Sequence, residues 1–111
     1  MEEGKPYFLR NYQSDDGKDP FKQWILRLRD RRARARINVR LRRIEEFGQF
    51  GVYRHVGEGV HELKFDFGPG YRVYFGLDGE TVVILLGGGD KSTQRQDIAA
   101  ALQRWKEYLD A

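Results

Sequence analysis

The run TVVILLGGG at residues 81–89 limits the possible folds of this chain more than any other segment. It shows no alternation of apolar and polar residues, and turn-forming residues bound it on both sides. A continuous apolar run of this length is typical of a central β-strand that is covered on both faces. We therefore expect a sheet with this strand in its interior.

The segment HELKFDFGPGYRVYFG at residues 61–76 predicts a β-hairpin that turns at Gly68-Pro69-Gly70. Both arms alternate, so each strand has an apolar side and a polar side. The apolar side is expected to hold Leu63, Phe65, Phe67, Tyr71, Val73 and Phe75. The polar side carries charged residues, namely Glu62, Lys64, Asp66 and Arg72. The charge on that side suggests that it is a binding surface.

Three helices are indicated by apolar residues at spacings of three and four. Asp19 and Pro20 are a favoured cap and first residue for a helix whose apolar face is Phe21, Trp24, Ile25 and Leu28. A second helix runs from a cap at Asp30 to a stop at Gly48, with a stripe of Ala33, Ile37, Leu41, Ile44 and Phe47. A third helix, capped by Ser92 or Thr93, has a stripe of Ile98, Leu102, Trp105 and Leu109.

The order of these elements predicts the fold class. PYFLRNY at residues 6–12 reads as a first strand, whereas residues 49–60 are expected to form only a short bridge or irregular edge around Val52–Val56. The resulting order, β-α-α-β-β-β-α, predicts an α+β domain with helices packed on a mostly antiparallel twisted sheet of about four strands. We expect residues 1–111 to form a single domain.

Composition excludes several function classes. The chain has no cysteine, which excludes disulfides, thiolate zinc sites and a cysteine nucleophile. Neither His55 nor His61 has a metal-ligand partner at a useful spacing, and GGGDKST does not match a P-loop. We therefore expect no metal and no cofactor. The acidic, polar start and the absence of a long apolar run predict a cytoplasmic protein without membrane contact.

Positive charge is concentrated in one helix. Residues 27–46 contain nine arginines against three acids, whereas the whole chain has a net charge of +3. This asymmetry suggests a polyanionic or acidic partner, and an ordinary solvated helix is the alternative.

Three cations, Lys64, Arg72 and Lys91, are candidates for a phosphate site. Lys64 and Arg72 lie on facing strands, and Lys91 follows the central strand where a helix is about to begin. In RNA cleavage, a lysine among other cations can act as general base towards a 2′-hydroxyl, and an arginine can stabilise the phosphorane. The alternative is that Lys64 pairs with Glu62 or Asp66, and that Arg72 pairs with a neighbour.

Aromatic side chains are candidates for base stacking near these cations. Core packing is the favoured interpretation of Phe67 and Tyr71. Tyr74, on the same side as Arg72, is the stronger candidate.

Two segments resemble a known family. ELKFDFGPGYRVYF and GGGDKSTQRQDI, in this order within a similar order of elements, resemble the RelE/ParE superfamily of type II toxins, and more closely its HigB-like "addiction module killer protein" branch. The resemblance runs from about residue 7 to residue 108. It implies a RelE-like fold, cleavage of mRNA, in many relatives on the ribosome, and a cognate antitoxin that shuts the toxin off. Operator DNA would be contacted only through the antitoxin.

The resemblance also implies residue roles. Arg72 would contact the scissile phosphate, Lys64 would be the general base, and Lys91 would occupy the position of a catalytic cation after the last strand. The acid that protonates the leaving group is left open between Asp97, Asp90 and Lys91. Further RNA contacts are expected from Arg34, Arg36, Arg40, Arg43, Arg54, Tyr74 and Gln94.

The same scaffold has other uses. ParE-like relatives inhibit DNA gyrase, and a non-catalytic binding protein would need no such cluster of cations. The cluster favours RNA cleavage over both alternatives, and the acidic segment of an antitoxin could neutralise the arginines at the first two helices or at the sheet edge.

Overall fold

The computed structural model describes residues 4–111 and has an α+β architecture, as predicted. Its elements follow one another as β1 (Phe8–Asn11), α1 (Pro20–Arg27), α2 (Arg31–Phe47), β2 (Tyr53–Gly57), β3 (Val60–Lys64), β4 (Arg72–Asp78), β5 (Val82–Gly89) and α3 (Gln94–Asp110). A 3-10 turn at Lys91–Thr93 links β5 to α3. Among the described residues, no helix combines the length and apolar character needed to span a membrane.

The five strands form one sheet in the order β1-β5-β4-β3-β2. β1 pairs with β5 in parallel, and all other neighbours are antiparallel. The sheet therefore has one strand more than the four expected, because the segment predicted as a bridge or irregular edge is the paired edge strand β2. Its pairing with β3 depends on residues outside the segment itself, such as Leu63 opposite Tyr53.

Helices cover both faces of the sheet, which confirms the interior position predicted for residues 81–89. α1 and α2 pack on one face, where Val83 and Leu85 of β5 join a core with Ile37 and Ile44. α3 packs on the other face, where Ile84 and Leu86 contact Trp105 and its neighbours. Burial of a side chain such as Ile37, which has no exposed surface, stabilises the fold by about 1.5–3 kcal/mol.

Local capping signals determine the starts of α1 and α2. Asp19 accepts a hydrogen bond from the backbone of Lys22 at 3.0 Å, and Asp30 accepts one from Ala33 at 3.1 Å. Gly48 ends α2 with a φ of 65°, in the left-handed region that favours glycine.

Two residues of the predicted helix stripes are not buried: Phe47 of α2 is 52% exposed and Leu109 of α3 is 59% exposed. Thr93, one of the two predicted caps, is the N-cap of α3, although its side chain forms no capping hydrogen bond. Asp90 caps the preceding 3-10 turn by accepting from the Ser92 backbone at 2.8 Å.

Candidate functional site: a cationic groove

A groove of about 1110 Å³ lies between α2 and the turn of the β3–β4 hairpin. Among the described residues, its cations are Arg36, Arg40, Arg43, Lys64, Arg72 and Lys91, and Asp66 is the one carboxylate that lines it. Its apolar surface comes mainly from Val39, Val52, Phe65, Phe67 and Pro69. We call this surface the groove. It combines strong positive charge with apolar contact area.

The hairpin turn brings two of the predicted cations together. The Lys91 backbone N–H donates to Pro69 O at 3.3 Å, which joins the start of the 3-10 turn to the hairpin. Gly70 has a φ of +77°, and a Cβ atom placed on it would lie 3.2 Å from Arg72 Nη1 and 3.4 Å from Lys91 Cβ. Only glycine allows this close approach of Arg72 and Lys91 without strain.

Lys64 completes the cluster that the sequence predicted. It lies directly opposite Arg72 in the register of β3 and β4, and its side chain is exposed in the groove. Its Nζ forms no ion pair within residues 4–111, so the predicted alternative pairing with Glu62 or Asp66 is not formed there.

Arg72 is only 8% exposed, and much of its guanidinium is already engaged. Nη1 donates to Gly70 O at 2.7 Å and to Tyr71 O at 3.2 Å, and Nε lies 3.6 Å from Glu62 Oε1. Nη2 has no hydrogen bond in the described part of the chain. A bidentate contact between this guanidinium and a phosphate is therefore not possible without breaking these bonds, and one terminal nitrogen remains for a phosphate oxygen.

The polar side of the hairpin is largely covered by α3, which the sequence reading did not anticipate. Glu62, expected to point outward, is completely buried. It accepts hydrogen bonds from Arg54 Nε and Gln94 Nε2, each at 2.9 Å. Burial alone would raise the pKa of Glu62, but these hydrogen bonds outweigh it, so its pKa lies below the ordinary value.

Tyr74 cannot stack on a nucleotide base in this structure, contrary to expectation. It lies opposite Glu62 on β4, and its side chain has no exposed surface beneath α3. Burial, followed by the nearby charge of Glu62, raises the pKa of Tyr74. The strand pattern placed Tyr74 on the correct side but could not reveal that a helix covers that side.

The two acidic candidates lie beside the groove and do not line it. Asp90 accepts from the backbone and hydroxyl of Ser92, and Asp97 accepts from the Thr93 hydroxyl at 2.6 Å. Asp97 lies against Gly89, the residue opposite Arg72, where any side chain would collide with it. Gly89 is therefore required for Asp97 to pack here.

The α2 arginines fall into two groups. Arg36 and Arg43 are exposed in the groove, with the Arg36 guanidinium 4.0 Å from the centre of the Phe67 ring. Arg40 donates to Phe50 O at 2.9 Å and also to Lys64 O and Val52 O. Burial lowers the pKa of Arg40. These contacts tie α2 to β3, so Arg40 is a structural link and not a free RNA ligand.

Three other predicted RNA contacts lie outside the groove lining. Arg34 is half-buried on α2, Arg54 is on the edge strand β2, and Gln94 begins α3. Arg54 and Gln94 converge on Glu62. Glu62 thus links Arg54 and Gln94 to Arg72, and its place two residues before Lys64 was the only sequence signal for it.

The fold indicates a class of protein. A sheet with two helices on one face and one on the other, and with cations at the end of its central hairpin, is consistent with a compact RelE-like α+β protein.

Sequence comparison identifies the family. The profile described as "Phage derived protein Gp49-like (DUF891)" matches residues 23–106. A protein of Haemophilus influenzae named only "Uncharacterized protein" is 48% identical over 81 residues, which cover 73% of this chain and 81% of that protein. The chain belongs to the Gp49-like family, a RelE-like family associated with toxin–antitoxin modules. Membership indicates a toxin with an antitoxin partner.

Proposed function

We propose that the chain is the toxin of a type II toxin–antitoxin module of the HigB-like kind, and that it is an mRNA interferase, a cytoplasmic endoribonuclease that cuts mRNA on the ribosome. The observation that carries the proposal is the grouping of Lys64, Arg72 and Lys91 in one groove. Within the described part of the chain, six cations and one carboxylate line that groove, which suits a phosphate backbone.

The reaction we propose is an attack by the RNA on its own backbone. The amine of Lys64 removes the proton of a 2′-hydroxyl, and the 2′-oxygen forms a bond to the adjacent phosphorus. The bond from phosphorus to the 5′-oxygen breaks, and that oxygen receives a proton. The products are a 2′,3′-cyclic phosphate and a 5′-hydroxyl, and DNA is excluded because it lacks the attacking group.

Arg72 and Lys91 supply the two other groups that this reaction requires, one to stabilise the phosphorane and one to protonate the leaving oxygen. The guanidinium of Arg72 stabilises the negative phosphorane, with Nη2 as the nitrogen available to a phosphate oxygen. Lys91 is favoured over Asp90 and Asp97 as the acid, because it lines the groove and the two carboxylates do not.

The arginines of α2 bind the partners. Arg36 and Arg43 hold the RNA on either side of the cut, and an acidic antitoxin segment neutralises the arginines of α2. Operator DNA is reached only through that antitoxin.

A reconstituted translation reaction tests the catalytic roles. We expect Lys64→Ala and Lys91→Ala each to lower the rate of mRNA cleavage by about 10²- to 10⁴-fold, the usual contribution of a general acid or base. Lys106→Ala is the matched control, because Lys106 is an exposed lysine of α3 outside the groove, and it should retain wild-type activity.

Two outcomes would contradict this proposal. Undiminished cleavage by folded Lys64→Ala and Lys91→Ala variants would remove the assigned roles. If wild-type protein left mRNA intact under translation, RNA cleavage would be rejected and inhibition of DNA gyrase would be assayed instead.

A further inference from the structure

Glu62 is a buried carboxylate of β3 on which three other elements converge. Its Oε1 accepts from Arg54 Nε of β2, and its Oε2 accepts from Gln94 Nε2 of α3. Arg72 and Tyr74 face it from β4. Removing a charge from water to a site with no exposed surface costs free energy, so the position calls for a specific explanation.

One donor beside this carboxylate lacks a hydrogen bond. Arg72 Nε is buried without a hydrogen-bond partner in the described part of the chain. Arg72 Nε is 3.6 Å from Glu62 Oε1, just beyond hydrogen-bonding distance, whereas Arg54 Nε is 2.9 Å from the same oxygen. Oε1 therefore lies within 4 Å of both arginine Nε atoms but sits closer to Arg54, so only the Arg54 hydrogen bond is formed.

The two arginines differ in exposure. The Arg54 side chain is 52% exposed on the edge strand, and the Arg72 side chain is 9% exposed in the groove. An RNA phosphate can draw Arg54 away from Glu62, but the backbone contacts of Nη1 hold Arg72 in place.

We propose that Glu62 is a positioning residue for Arg72, and that Oε1 passes from Arg54 to Arg72 Nε when Arg54 engages RNA. The transfer fixes the guanidinium with Nη2 as the nitrogen available to the scissile phosphate. The role in cleavage rests on the proposed function, whereas the competition between Arg54 and Arg72 for Oε1 does not.

Hydrogen exchange of the Arg72 Nε–H, followed by NMR, tests the competition. Arg54→Ala frees Oε1, so we expect exchange of the Arg72 Nε–H to slow at least threefold. Glu62→Gln removes the charged acceptor, and exchange should accelerate at least tenfold. Arg10→Ala, on the far edge strand β1, is the control and should leave exchange unchanged. Equal exchange in wild type and Arg54→Ala would overturn the competition, even if Glu62→Gln fails to fold.

A double-mutant cycle on mRNA cleavage tests the positioning role. Glu62→Gln should lower kcat at least tenfold and leave KM within threefold, and in an Arg72→Lys background it should change kcat less than threefold. Equal losses in both backgrounds would indicate a merely structural role and overturn the proposal. If wild-type protein cuts no mRNA, the proposed function fails, and the exchange measurement still decides whether Arg54 and Arg72 compete for Glu62.

Discussion

His61 occupies an unusual site for a titratable side chain. Its ring is stacked on Phe75 at 5.2 Å between centroids and lies 5.3 Å from the ring of His55 on the neighbouring strand. Its Nδ1 is buried and, among residues 4–111, has no hydrogen-bond partner. Burial, with a smaller contribution from His55, lowers the pKa of His61 from its ordinary 6.5.

This shift predicts a loss of stability in mild acid. The pKa of His61 is lower in the folded protein than in the unfolded chain, so around and below pH 6.5 the unfolded chain binds more protons. As the pH decreases, the free energy of unfolding therefore decreases, until the pH is below the folded pKa as well. We expect the thermal midpoint to fall between pH 7.5 and 5.5, and to fall less in His61→Phe. His55→Gln is the matched control and should keep most of the fall. Parallel curves for wild type and His61→Phe would contradict this reading of His61.

At the scale of single residues, the sequence predicted which side of the sheet a residue lies on better than it predicted whether the side chain is exposed. Lys64 and Lys91 lie in the groove with Arg72, as their positions on the hairpin and after β5 implied. The strand period also put Glu62 and Tyr74 on the correct side. It could not show that both are buried, because burial depends on where α3 packs.

At the scale of elements, close approach of α3 to the sheet depends on small residues. A Cβ atom added at Gly76 of β4 would lie 2.6 Å from the ring of Trp105, which is shorter than the contacts that Cβ atoms make in proteins. Trp105 is 5% exposed and belongs to the core on the α3 side of the sheet.

Gly76→Ala should therefore destabilise the fold by about 1–3 kcal/mol, the usual cost of overpacking a core. Trp105→Leu in the same chain should recover part of this loss, because it removes the colliding ring. Urea unfolding of the single and double variants measures both effects. If Trp105→Leu costs as much stability in the Gly76→Ala background as alone, the collision is not the cause.

Elements defined by local signals were predicted well, and elements defined by distant contacts were not. The starts of α1 and α2 follow from Asp19 and Asp30, and the end of α2 follows from Gly48. β2 was predicted only as a short bridge or irregular edge, because its residues are mostly exposed and show no clear alternation. Its strand character comes from pairing with β3 and from the Arg40 contact to Val52 O.

At the scale of the whole molecule, positive charge is gathered at the groove between α2 and the hairpin. Arg43 is exposed in the groove and Arg10 is exposed on β1, at the sheet edge opposite β2. Binding of a polyanion should therefore depend on Arg43 and not on Arg10.

Salt titration of binding to a 2′-O-methyl single-stranded RNA, which cannot be cut, tests this asymmetry. Arg43→Gln should reduce the slope of log Kd against log salt concentration by about 0.7, the value for one lost phosphate contact on a single strand. Arg10→Gln should leave the slope unchanged. Equal slopes for both variants would place the RNA elsewhere on the molecule.

The most direct measurement is the chemistry of the ends produced from an mRNA cut during reconstituted translation. Attack by a 2′-hydroxyl predicts a 2′,3′-cyclic phosphate on one fragment and a 5′-hydroxyl on the other, and predicts no cut when the mapped nucleotide carries a 2′-O-methyl group. Fragments with a 3′-hydroxyl, or a methylated mRNA cut at the same rate, would contradict cleavage by the Lys64, Arg72 and Lys91 cluster.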